Sequence, residues 1–399
     1  MTMDSTSPYF RDRMNEVVVV GAGVVGASVA FHLAERDIGT LVLDREGPAA
    51  GSTARSGALI RAHYATELEA DLAWESLTNY FEPWGERVGG GCGFIRTGFA
   101  YLVGEQNVDA LRHNVALQQG VGVETDLVGP DEIREIDPAL RTTGVTLAAY
   151  EPRGGYADPA ATAVGFLRAA QARGARFERR RATALLASGD HIRGVQTENG
   201  PVESDAVVLA AGAWSMPLAE GVGLDLLIRP ARVQVALFER PYALPTHLTL
   251  IDTIEGFYTR PAAERATLVG SRDSLEWLDS PDEPTPEPDE AFITEALRKL
   301  ALRLPALANA PYRSGRSGIL DMTPDGRPLL GPAGPEGLYL AAGWSGTGFK
   351  KAPAVGAELA HWISDGAPRR PELEGYDLAR FERGAWIQGQ HEYAVSGPH

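Results

Sequence analysis

Three glycines and one carboxylate are the first residues of this sequence whose types and spacing could do chemistry. Gly21-x-Gly23-x-x-Gly26 follows the unbroken β-branched run Val17–Val20, and Asp44 closes a second apolar run, Thr40-Leu41-Val42-Leu43. Glycines at this spacing permit a tight turn, close approach of backbone to a diphosphate, and close packing of the next helix on the strand. The N-terminus of that helix favours the phosphate charge. A carboxylate at the end of the second strand can accept hydrogen bonds from ribose hydroxyls. Strand, glycine turn, helix, strand and terminal acid together predict a dinucleotide site.

The elements that must position such a site follow from the flanking patterns. Val25, Val29 and Leu33 recur four apart, which predicts a helix after the glycine turn. Thr66-x-x-Glu69 has the form of a capping box opening a helix that carries Leu68, Leu72 and Leu77. Residues 85–104 read as strands and loops. Asp158-Pro159 predicts a helix start and Gly174 its end. The runs Asp205–Gly212 and Gly337–Gly343 read as further buried strands, so dinucleotide-type strands recur near positions 17, 207 and 338. Prolines interspersed with acids predict an exposed loop over 279–290, followed by a helix over 291–304. Pro353 is expected to open a C-terminal helix, with Lys350 just before it and Lys351 a solvated neighbour. There is no internal repeat of solenoid or propeller period.

Composition narrows the partners. At 399 residues the chain has material for two or three domains or one large interleaved fold. Lysine and arginine number 37 against 53 acids, a net charge of −16, which argues against nucleic acid and anionic membranes as partners. One cysteine, Cys92, excludes an internal disulfide framework and a cysteine-based zinc site, leaves no metal expected, and fits a reducing cytoplasm. The most apolar stretch, Val17–Phe31, is too short to span about 30 Å of hydrocarbon as a helix. Acids among the first residues also argue against a signal peptide. The expectation is a cytoplasmic monomer or homodimer.

Five segments in this order resemble the D-amino acid oxidase superfamily of flavoproteins, most closely its sarcosine oxidase and dimethylglycine-type branch. They are Gly21–Gly26, Gly51–Gly57, Ala210–Trp214, Met322–Pro328 and Gly343–Lys350. The resemblance runs from about Asn15 to Arg383. It implies an α/β fold: a Rossmann-like FAD-binding domain of the glutathione-reductase type, interleaved with a mostly antiparallel α+β substrate domain. The corresponding boundaries are a tail over 1–14, an FAD domain over 15–85, 151–225 and 315–370, a substrate domain over 86–150 and 226–314, and a C-terminal extension over 371–399.

The resemblance also implies the site. FAD would be held by Gly21, Gly23, Val24, Val25, Gly26, Asp44, Arg45, Ser52, Thr53, Arg55, Ser56, Gly57, Ala211, Gly212, Trp214, Gly343, Gly346, Thr347, Gly348, Phe349 and Lys350. Arg61 and Lys350 would bind a substrate carboxylate, Tyr258 would pack over the substrate, and His63, Tyr64 and Trp344 would line the same cavity. A guanidinium suits the carboxylate because its planar fork binds both oxygens and keeps its charge when desolvated. Two positions depart from the branch. Gly318 stands where monomeric sarcosine oxidases tether flavin through cysteine, so FAD is expected to be non-covalent. Leu268 stands, to within a residue, where those enzymes carry a lysine that promotes reaction with oxygen.

The implied activity is oxidation of the C–N bond of an amino acid or an N-substituted or cyclic amino acid to an imine, with hydride passing to flavin N5 and O2 as acceptor. The alternative is a dehydrogenase, or the flavin subunit of a complex, passing electrons to a different acceptor. A structural FAD in an assembly subunit is a third reading, against which the retention of both cations weighs.

Overall fold

The computed structural model describes residues 17–271, 275–283 and 287–394. The expected tail over 1–14 and residues 284–286 of the proline-rich loop lie outside the described residues. Val17–Val20 forms a fully buried strand, as a run of valines with no polar face requires. It pairs in parallel with Thr40–Asp44 on one side and Val207–Leu209 on the other, with Val18 opposite both Leu41 and Val207. The complete sheet runs 329–332, 338–342, 207–209, 17–20, 40–44, 176–179, and only its first pair is antiparallel. The three recurrent strands of the sequence thus lie side by side, although some 130 or more residues separate each from the next.

The helix Val24–Ala34 is buried along its whole length. Gly26 explains how it sits so close to the strand: a Cβ there would stand 2.0 Å from the Gly21 carbonyl oxygen. Gly21 itself turns with φ of 108°, which only glycine adopts readily. Helices Pro159–Gln171 and Gly348–Asp365 pack beside it.

A second, mostly antiparallel sheet is built from 99–103, 126–128, 147–151, 229–239, 249–252, 257–262, 266–271, 276–277 and 312–322. The helix Glu290–Arg303 covers it through Phe292, Ala296 and Leu300. Strand Tyr312–Met322 pairs along almost the whole of Arg229–Glu239, so its hydrogen bonds belong to the larger sheet, although the sequence reading begins the FAD-side stretch at residue 315. The architecture is the expected one: a Rossmann-like α/β unit interleaved with an α+β unit.

Two local expectations fail. The C-terminal helix begins at Gly348, not at Pro353, which lies inside it. Proline at that depth removes one helical hydrogen bond, but the surrounding helix is buried against Val24–Ala34, and packing outweighs the local penalty. Lys351 is not solvated; it is 1% exposed and ion-paired with Glu69.

Candidate active site

A cavity of about 940 Å³ opens where the C-terminal ends of the parallel strands face the larger sheet. The glycine turn, the helix-turn Ser52–Arg55, the strand end Gly318–Met322 and the loop Trp344–Lys350 contribute its walls. Local hydrogen bonds fix these walls. Asp44 accepts from the Ala22 amide at 2.8 Å and from the amides of Glu46 and Gly47 at 2.9 Å, which ties the second strand to the glycine turn. Thr53 Oγ1 accepts from the Val24 amide at 3.0 Å. Asp321, missed by sequence reading, accepts from the Gly343 amide at 2.8 Å and so holds the last glycine loop. Burial pushes its carboxyl up to about 6 against the pull of the surrounding amides.

Most residues singled out from the sequence meet on this one cavity. Gly21, Gly23, Val24, Val25, Asp44, Arg45, Ser52, Thr53, Arg55, Ser56, Gly57, Ala211, Gly212 and Trp214 line it, as do Trp344, Gly346, Thr347, Gly348, Phe349, Lys350, Arg61 and Tyr258. Four do not. Gly26 and Gly343 stand behind the wall and shape its turns. His63 and Tyr64 are set back because the chain turns inward after Arg61: His63 stacks on Tyr101 at 4.3 Å, and the Tyr64 ring lies under Arg61 at 4.6 Å and Lys351 at 4.8 Å. They support the cations rather than facing the cavity.

The wall near Arg61 is electropositive. Arg61 donates to the His63 carbonyl oxygen, and no carboxylate pairs with it among the described residues. Lys350 lies in the first turn of the helix Gly348–Asp365, where the dipole already disfavours a cation. It is buried, its Nζ lies 6.0 Å from the Tyr64 ring centroid, and no carboxylate pairs with it among the described residues. Burial holds its pKa well below the ordinary lysine value, and Arg61 and Lys351 press it further down. Lys351, by contrast, is satisfied: Glu69 Oε1 stands 2.5 Å from its Nζ, and Glu69 Oε2 lies 3.0 Å from Arg327. Burial alone would raise the Glu69 carboxyl; the two cations outweigh it and hold it low. The capping-box pattern located Glu69 as a helix start but gave no sign of these long-range partners.

Tyr258 reaches the cavity from the strand Phe257–Ala262. Its ring lies across two glycines: a Cβ at Gly270 would stand 2.1 Å from Cζ, and one at Gly57 would stand 2.7 Å from Cε2. At the opposite end, Trp214 Nε1 donates to Asp282 at 2.7 Å, Arg45 reaches the same carboxylate at 2.9 Å, and Arg45 lies over the Trp214 ring. Asp282 was legible only as part of an acidic loop.

The donor set suits a flavin dinucleotide. One wall offers the N-terminal end of a buried helix and glycines too tightly placed for side chains, and the far wall carries Arg61 and Lys350. The family model described as FAD dependent oxidoreductase (DAO) matches residues 16–362. The chain belongs to this family. Its cofactor is therefore FAD. Human mitochondrial sarcosine dehydrogenase is 27% identical over 408 aligned residues, covering 96% of this chain and 44% of that enzyme. This chain thus spans less than half of that relative's length. Glycine oxidase of Geobacillus kaustophilus is 25% identical, covering 92% of this chain and 96% of the enzyme. Among solved structures, L-proline dehydrogenase from P. horikoshii superposes with a TM-score of 0.86 at 29% identity, covering 93% of this chain and 98% of that one.

Proposed function

We propose that this flavoprotein oxidises the C–N bond of an amino acid, primary, N-substituted or cyclic, whose carboxylate docks on Arg61 and Lys350. The observation that carries the reading is the pair of cations on the wall of the cofactor cavity that have no carboxylate partner among the described residues. A buried cation costs free energy unless paired, and a substrate carboxylate supplies the pair. The names of the relatives, acting on sarcosine, glycine and L-proline, support the same substrate class.

In this reading the parallel sheet and its helices hold the cofactor, and the larger sheet supplies the substrate face. The glycine turn, Thr53 and Asp44 shape the wall for the dinucleotide, and Arg45 and Trp214 close its outer end. FAD supplies the two-electron acceptor, so that loss of a hydride equivalent from Cα leaves an imine that water hydrolyses. The protein's own part is positioning and electrostatics. Arg61 grips both carboxylate oxygens, Lys350 adds a point charge, and Tyr258 and Trp344 confine the substrate so that its Cα–H is presented in one orientation. With the carboxylate held by cations, the amine faces a wall that disfavours its protonated form. No cysteine or histidine lines the cavity among the described residues, and Arg55 covers Gly318, which supports non-covalent FAD. The single buried cysteine fits a cytoplasmic location.

An anaerobic screen of L-, D-, cyclic and N-methyl amino acids, followed by flavin bleaching, tests the substrate class. Arg61→Ala should raise the half-saturating concentration about 100-fold with FAD retained. Unchanged substrate dependence would refute the docking site. For the electron acceptor, Leu268 favours the second reading, a dehydrogenase. It is fully buried in the strand Ala266–Ser271 and absent from the cavity wall, and Lys350 is the only lysine on that wall among the described residues. Rapid reoxidation of the reduced protein by O2 in stopped flow would exclude that second reading.

A further inference from the structure

The segment Gly389–Ala394 lies beyond the residues matched by the family model, yet it contacts His63 and Arg327, which lead to the two cations of the cavity. Helix Val108–Gly120 and its approach anchor it: the Asn107 side chain bonds both the amide and the carbonyl of Ala394, at 2.8 and 3.1 Å, and Asn114 Nδ2 donates to the His391 carbonyl at 2.8 Å. Two consecutive side chains, the half-buried Tyr393 and the exposed Glu392, then meet residues that support the cations. The Tyr393 phenol and His63 Nε2 share a hydrogen bond of 2.6 Å, and the His63 carbonyl accepts from Arg61. Glu392 meets Arg327 at 3.2 Å, Arg327 meets Glu69 at 3.0 Å, and Glu69 holds Lys351, the neighbour of Lys350.

The inner members of each chain, His63 on one side and Glu69 and Lys351 on the other, are buried, whereas Glu392 is exposed and also accepts from the Gly389 amide at 2.7 Å. His63 is 3% exposed, and burial together with the charge of Arg61 keeps its ring neutral, with a pKa lowered to about 3. It therefore acts as a fixed wedge between Tyr101 and Tyr393. Arg327 comes from the Met322–Pro328 motif, whose Asp325 binds Arg380 and the Ile387 amide, so the same motif that seats Arg327 also seats the approach to the segment.

We propose that Glu392 and Tyr393 are positioning residues for the carboxylate site, Tyr393 acting on Arg61 through His63 and Glu392 acting on Lys350 through Arg327, Glu69 and Lys351. The segment is a clasp that holds two cations at a common focus against their mutual repulsion. This inference rests on the reading that Arg61 and Lys350 bind the substrate carboxylate.

A double-mutant cycle on the FAD-loaded protein separates the two claims. Propionate, which carries a carboxylate and nothing to oxidise, is titrated against the flavin absorbance of wild type, Tyr393→Phe, Arg61→Ala and the double variant. Tyr393→Phe should weaken propionate about tenfold in the Arg61 background and leave it unchanged in the Arg61→Ala background. FAD content should match wild type, since phenylalanine keeps the ring packing, while Tm falls because the buried His63 Nε2 loses its partner. Glu392→Gln paired with Lys350→Met should show the same loss of effect, and keeps the test open if one tyrosine variant misfolds. Equal effects of Tyr393→Phe in both backgrounds, or none in either, would overturn the clasp while leaving the docking site intact. Failure of wild type to bind propionate, or Arg61→Ala binding it as wild type does, would instead overturn the docking site.

Discussion

Replacing Gly270 with alanine tests whether Tyr258 is held where the cavity needs it. Gly270 sits opposite Tyr258 in the strand pair 257–262/266–271 and does not use left-handed backbone, so alanine adds no backbone strain there. The entire effect is one methyl group against one ring. That methyl would stand 2.1 Å from Cζ, 2.3 Å from the hydroxyl and 2.5 Å from Cε1, whereas ordinary contact begins near 3.4 Å. The ring must therefore retreat by roughly 1.3 Å, the difference between those two separations. It cannot slide the other way, because Gly57 already lies close on its Cε2 side. The free direction is into the cavity, where the substrate would pack. Overfilling of this kind costs about 1–3 kcal/mol of stability. A displacement of about 1 Å beside the reacting atoms costs on the order of 100-fold in kcat/KM. Anaerobic flavin reduction by the best substrate of the amino acid screen, with bound FAD measured alongside, reads the kinetic loss. In a Tyr258→Ala background the ring is gone, and Gly270→Ala should then change neither stability nor kcat/KM. If the glycine substitution is silent in the wild-type background, or equally harmful in both, the contact between this ring and this glycine does not position Tyr258.

Glu69→Gln should cost about 3–5 kcal/mol in denaturant unfolding, because Lys351 and Arg327 lose the carboxylate that compensates them in a buried setting; adding Lys351→Met should recover part of it. Glu151 is fully buried, accepts from the Ala62 amide at 2.8 Å, and has a carboxyl pushed up by burial to about 7 from an ordinary 4.5. The native state therefore holds a proton that the unfolded chain has released between those two values, so stability falls as pH rises through that window. Glu151→Gln should match wild type in thermal unfolding near pH 4 and exceed it by about 3 kcal/mol at pH 8; a constant difference across pH would refute the assignment. Asp282→Ala should speed FAD release a few-fold, measured by flavin fluorescence on dilution. The effect stays small because the carboxylate is half exposed.

How much of this was legible depended on whether a residue's partners lay nearby in sequence. Gly21, Gly23, Gly26 and Asp44 work within a single strand-turn-helix-strand unit, so spacing alone located them. The recurrence of buried strands near 17, 207 and 338 predicted a discontinuous sheet, because only mutual pairing can satisfy three such apolar runs. Lys351 was misread for the opposite reason. Its partner Glu69 lies 282 residues away, and a lysine beside another lysine gives no local sign of a buried ion pair. The helix start was misplaced because Pro353 is a good first-turn residue by propensity, whereas packing against Val24–Ala34 carries the helix back to Gly348. His63 and Tyr64 were placed in the right neighbourhood but one layer too far forward, since the stacking of His63 on Tyr101 and Tyr393 and the contact of Tyr64 with Lys351 depend on segments remote from them.

The order of strands in the parallel sheet also governs when the cofactor pocket can exist. Val17–Val20 and Thr40–Asp44 lie close in sequence and can pair early, but Val207–Leu209 and Leu338–Ala342 are remote from them and must arrive before the sheet is complete. The wall Trp344–Lys350 arrives later still. Until those strands join, the chain carries a phosphate-ready glycine turn with no pocket to close over a flavin. Such late, long-range closure is slow and leaves strand edges exposed. FAD can therefore be enclosed only after the strands near 207 and 338 have joined the sheet and the Trp344–Lys350 wall has followed them.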